Sequence, residues 1–135
     1  MRASRTWLAA ALAAVAIGCS SDSTGTSSGG NGGNNGGGGP VGQIIVGNDF
    51  FQSSHNGTTP AQDTVPAGTA VTWTWTGTGS TFHSVVSDGP AAFPGSGDPQ
   101  SGDGTVYTFT FMTAGVYNYH CAVHGAIMHG TLVVQ

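Results

Sequence analysis

Two stretches of this chain alternate with almost no interruption: "TAVTWTWT" from Thr69 to Thr76, and "TVYTFTF" from Thr105 to Phe111. A period of two puts every large side chain on one face only if the backbone is extended, since a helix would scatter the same residues around its axis. In the first stretch Val71, Trp73 and Trp75 share a face against Thr72, Thr74 and Thr76. In the second, Tyr107, Phe109 and Phe111 oppose Thr108 and Thr110, with Val106 marking the other phase. "GQIIVGNDFF", "TFHSVVSDG", "GVYNYHC" and "GTLVVQ" read as further strands, separated by Gly-, Pro- and Asp-rich turns. The longest turn region runs from Asp88 to Gly104, and no helical period occurs in the domain. Short, punctuated strands in fewer than a hundred residues specify an all-β fold, a β-sandwich of Greek-key type, with the aromatic faces as its core.

That head occupies residues 40–135. Before it, Arg2 and Arg5 precede an apolar run from Trp7 to Ile17, too short for a spanning helix of ~20 residues and suited to an export signal. Its end, Ala16-Ile17-Gly18-Cys19, resembles a bacterial lipobox, although Ala16 stands where that pattern usually has Leu. The expectation is a lipoprotein-type signal peptide at residues 1–18, with Cys19 lipidated as the new N-terminus. Residues 19–39 are dominated by Ser, Thr, Gly and Asn, which cannot bury enough apolar area to offset ordering entropy, so they read as a flexible tether. A tether after a lipidated Cys would let the head range above a membrane facing the periplasm or cell exterior.

From Pro40 onward there is no Lys, Arg or Glu, and the chain's net charge is -4 with its histidines neutral. A head without cationic side chains has nothing to neutralise phosphates, which excludes nucleic acid as a partner. One cysteine, Cys121, lies in the head. It has no internal disulfide partner, and an exported protein that keeps a thiol needs a use for it. Metal ligation is the leading use.

Cys121 sits within "YHCAVHGAIMHG", which also holds His120, His124, Met128 and His129. On the preceding strand Tyr117, Tyr119 and Cys121 share one face, and Asn118 and His120 the other. A buried Tyr pair therefore sends Cys121 inward and His120 outward. A short loop can return Cys121, His124 and Met128 to one ion, and His83 in "STFHSVVSDG" is the candidate for a fourth ligand from another strand. Two imidazoles, a thiolate and a weak thioether make the donor set of a blue-copper electron-transfer site. Zinc is the rival, but thioether is a poor zinc ligand. Taken singly, each residue has a plainer reading: buried small hydrophobe for Cys121, core filler for Met128, strand residue for His83. Met112 reads as structural, and His55 as a solvated loop residue.

At these residues the chain resembles the cupredoxins, and among them the plastocyanin-like small blue-copper proteins. The resemblance covers nearly all of residues 43–135, through "VPAGTAVTW", "FHSVVSDG", "YTFTF" and "AGVYNYHCAVHGAIMHGTLVV". It implies one type 1 copper ion held by His83, Cys121, His124 and Met128, with the His124 imidazole as the port for electrons. Plastocyanins often have Asn after the first His, supporting the Cys sulfur; here that neighbouring position is Ser84. The expected function is single-electron shuttling between redox partners, such as an exported cytochrome, with Asp side chains favouring basic partners. Two alternatives stand beside it. His120 directly before Cys121 matches the dipeptide with which copper nitrite reductases bind a second, catalytic copper, so that two coppers per chain or nitrite turnover would favour an enzyme. Copper storage or delivery is the other. The sequence is silent on oligomeric state.

Overall fold

The computed structural model describes residues 38–135; the expected signal peptide, Cys19 and most of the tether lie outside them. Eight strands form two four-stranded sheets. In chain order they are β1 Gln43–Gly47, β2 Phe50–Ser53, β3 Ala61–Val65, β4 Thr69–Trp75, β5 Val86–Asp88, β6 Val106–Phe111, β7 Gly115–Cys121 and β8 Gly125–Val134. One sheet runs β2-β1-β4-β6 and the other β3-β8-β7-β5. Each connection from β2 through to β7 passes from one sheet to the other, so both inner faces contribute to one core. Pairing is antiparallel except for β1 with β4 and β3 with β8, which are parallel. Among the described residues there is no helix, as the period-two patterning requires.

The alternation translates into burial. Val71, Trp73 and Trp75 are buried on β4, and Tyr117, Tyr119 and Cys121 on β7. On β6 the phase is that of Tyr107, Phe109 and Phe111, with Val106 exposed. Trp73 lies at the centre, stacked on Phe93 and Tyr107 and meeting the edge of Tyr119 at 5.4 Å. Such aromatic pairs add about 0.5–1.5 kcal/mol each beyond the area they bury.

Two expectations need correction, and one strand was not anticipated. "GQIIVGNDFF" is a hairpin, broken by the turn residues Asn48 and Asp49 between β1 and β2, with Asp49 at φ 66°. Asn and Asp tolerate such turn geometry because their short side chains bond locally. "TFHSVVSDG" forms a strand only at Val86–Asp88, while His83 makes an isolated bridge to Gln100 with N–H···O bonds of 2.8 Å in both directions. The loop after β5 takes over the remaining pairing, since Ser96 Oγ accepts the Val85 N–H at 2.8 Å. Finally, "AQDTV" is a strand that periodicity did not reveal, because Asp63 occupies one of its inward positions. Asp63 is buried and accepts a hydrogen bond from Ser53 Oγ at 2.9 Å, and burial raises its carboxyl above the usual carboxylate range. At the other end of the described chain, the amides of Gly38 and Gly39 donate to Ser54 O at 3.2 and 3.1 Å, so hydrogen bonding to the head begins two residues before Pro40.

Candidate metal centre

The β7–β8 hairpin supplies three of the four expected ligands because of its own geometry. β7 ends by directing Cys121 inward, and Ala122, Val123 and His124 lead to Gly125, where β8 begins and Cys121 pairs with it. Gly125 adopts φ 57°, a left-handed conformation that residues with a Cβ rarely take and that allows this tight return. Along β8 the alternation resumes, with Met128 fully buried and His129 exposed. Gly130, opposite Tyr119 in the register, has a packing reason: a Cβ there would overlap the Tyr119 phenol.

His83 comes from a different part of the chain and is also fully buried. Its Nδ1 lies 3.9 Å from Cys121 Sγ, and His124 Nδ1 lies 3.5 Å from the same sulfur. One ligand atom from each of the three residues falls within 4.8 Å of the others. Metal–nitrogen and metal–sulfur bonds of about 2.0 and 2.3 Å at trigonal angles separate N from S by roughly 3.8 Å, so both spacings suit a shared ion. Cys121 and Met128 belong to one buried cluster, where water cannot compete for soft sulfur donors. The donor set therefore fits copper: two imidazoles, one thiolate sulfur and one buried thioether.

The outer nitrogens of the two rings are held by one turn. His124 Nε2 lies 3.2 Å from Asp49 Oδ1, an ion-pair distance. His83 Nε2 lies 3.4 Å from Asn48 Oδ1, and the Asn48 amide nitrogen donates to Gly77 O at 3.2 Å, which aims the Oδ1 toward His83. Because an amide oxygen only accepts, His83 carries its proton on Nε2, and the carboxylate beside His124 Nε2 favours the same tautomer there, so that both Nδ1 lone pairs face the sulfur. Desolvation lowers the His83 pKa, the neighbouring His124 ring lowers it further, and Asp49 opposes them, so the neutral, ligating form is favoured. The alternation of "GQIIVGNDFF" conceals this turn, because the stretch reads as one strand. That this turn reaches the imidazoles depends on where β1 and β2 lie.

Ser84 is buried and does not address the sulfur: its hydroxyl accepts the Ala122 N–H at 3.1 Å, tying the ligand loop to the segment that carries His83. His120 points to the outer face, as expected, with Nδ1 2.8 Å from Asp88 Oδ2. His129 is also on the outside, and His55 is exposed with Nδ1 3.0 Å from Gly39 O. Met112 is exposed beyond β6.

Residues 54–135 match the family model described as copper binding proteins, plastocyanin/azurin family. A halocyanin of Natronomonas pharaonis is 39% identical over 77 residues, covering 56% of this chain and 47% of that protein. The chain thus spans about half the length of that curated relative. Among solved structures, a mutant plastocyanin of a fern superposes with a TM-score of 0.53 at 32% identity, over 69% of this chain and 99% of that one. A copper-containing nitrite reductase from Thermus scotoductus SA-01 superposes with a TM-score of 0.53 at 25% identity, over 71% of this chain but only 22% of the reductase.

Proposed function

The chain belongs to the plastocyanin/azurin family of copper-binding proteins, and from that premise we propose that it is an exported electron carrier, tethered to a membrane by a lipid on Cys19. One observation carries the redox reading: a buried thiol with two Nδ1 atoms at 3.5 and 3.9 Å, on the hairpin that also buries Met128. Copper, when bound, supplies a one-electron Cu(I)/Cu(II) couple. The protein's part is to keep the ligand atoms in one arrangement for both oxidation states. Ser84 fixes the loop, Asn48 and Asp49 fix the rings, and the aromatic core fixes β7 and β8.

His124 is the proposed port. Its side chain is 18% exposed, whereas His83 is sealed. The same Cys-to-Met hairpin exposes Val123 and Ile127, and Phe82 is exposed next to His83. These apolar side chains, bordered by the exposed Asp49 carboxylate beside the His124 ring, form a small surface that favours brief docking. The Asp side chains and the lack of cationic residues favour a basic partner such as an exported cytochrome. The export reading rests on the Arg-led apolar leader and the Gly18-Cys19 junction.

Visible and electron-paramagnetic spectra after copper addition test the site. The expected result is an intense thiolate-to-copper band with narrow hyperfine splitting; a weakly coloured copper adduct would rule out the ligand set. Reversible electron exchange with a basic cytochrome tests the carrier role. Nitrite turnover by the copper-loaded protein would replace it with the enzyme reading, and copper release to an acceptor without redox cycling would replace it with storage or delivery.

A further inference from the structure

We propose that the outer face of the β7–β8 hairpin holds a second, solvent-open site for a borderline divalent transition-metal ion, ligated by His120 and His129 and oriented by Asp88. The two histidines are direct partners in the antiparallel register, so their side chains rise from neighbouring strands on the same face. Together with Asp88, Gly125 and Ala126 they line a surface cleft of about 480 Å³.

The hydrogen bonds decide which ring nitrogen is available. His120 Nδ1 faces Asp88 Oδ2 at 2.8 Å, and His129 Nδ1 faces Ala126 O at 2.9 Å. A carboxylate and a backbone carbonyl accept but do not donate, so each Nδ1 carries the proton. In the neutral rings both Nε2 atoms then hold a free lone pair. One imidazole tied to a carboxylate and one tied to a backbone carbonyl are the usual outer supports of metal-bound histidine, which fix the tautomer and raise ligand basicity. Gly125 and Ala126 leave the cleft floor small, giving room for water molecules to complete the coordination. No Lys or Arg stands in the head to repel a cation, and Asp88 adds negative charge beside the pair. Two imidazoles with open oxygen positions favour Cu(II) over Zn(II) by the general order of affinities. Asp88 acts here as a positioning residue, through His120.

This site does not rest on the electron-carrier reading, because it uses none of the four buried ligands. It also means that copper stoichiometry by itself no longer separates a carrier from a nitrite reductase, a distinction left to nitrite turnover. The test adds Cu(II) to full-length protein already loaded with one equivalent and follows the paramagnetic spectrum. The expected result is a second equivalent with wide hyperfine splitting, nitrogen coupling and little colour, while the first signal stays unchanged. His129→Gln and His120→Gln should each abolish the second signal and keep the first, which also reports that the variant is folded. Asp88→Asn should weaken the second binding step about tenfold, with Asp88→Glu partly restoring it. A stoichiometry that stops at one would overturn the proposal, and so would a second signal that survives His129→Gln or disappears with His55→Gln.

Discussion

The two faces of the β7–β8 hairpin meet two pairs of histidines whose contacts are chemical mirror images. Inside, His124 and His83 have Nε2 beside Asp49 and Asn48 and offer Nδ1 to a buried sulfur. Outside, His120 and His129 have Nδ1 tied to Asp88 and Ala126, which leaves the Nε2 lone pair of each neutral ring for another partner. Imidazole chemistry is identical in both places, so the difference comes from which nitrogen a neighbouring acceptor engages and from what fills the remaining coordination sphere. A dry sphere with thiolate and thioether suits an ion that changes oxidation state. A wet sphere with two nitrogens suits an ion that exchanges.

The largest expected effect breaks the inner side alone. Cys121→Ser should abolish the intense visible band, while cooperative unfolding of the metal-free protein persists because the core is aromatic; the visible spectrum and a urea melt check both halves. Gly130→Ala should disturb both sides together. The added methyl meets Tyr119, which is confined by Phe51 and Trp73, and overpacking of this kind costs about 1–3 kcal/mol. A drop in urea midpoint accompanied by altered spectra at both sites would show that the register links them.

Asp49→Asn sharpens the contrast more gently. Loss of the carboxylate behind His124 should weaken Cu(II) binding about tenfold relative to Cu(I) and raise the reduction potential, read by competition titration and voltammetry. An unchanged potential would mean that the exposed Asp49 is screened from the centre. The smallest effect separates the fold's own pH response from that of the imidazoles. Burial raises the folded-state pKa of Asp63, so its stabilising contribution is fully present below the unfolded-state value and is lost as pH rises through the folded-state value. Asp63→Asn should flatten the stability profile of the metal-free protein in that acidic window, as measured by urea midpoints across pH, and leave both metal spectra unchanged.

Much of the sandwich was legible because aromatic and threonine residues alternate so strictly that burial follows from position. The strand at Ala61–Val65 was not, since a buried carboxyl interrupts its apolar face and is tolerated only by the hydrogen bond from Ser53. His83 is a candidate fourth ligand from its residue type and a ligand by the family resemblance, and the tertiary structure supplies the distance. Ser84 shows the limit of such transfer: it occupies the supporting position, but it bonds the loop backbone and not the sulfur.

The sequence by itself determined the extended strands, the inward Cys121 and the outward His120, and the close return of His124 and Met128. These follow from covalent spacing within one hairpin, where a period of two and one left-handed glycine leave little choice. The tertiary structure decided everything that joins distant segments: His83 beside the thiol, Asn48 and Asp49 behind the inner rings, and Asp88 beside His120. It also set His129 across from His120. Those contacts depend on sheet order and register, which are fixed by packing the two aromatic faces together and are not encoded in any local stretch.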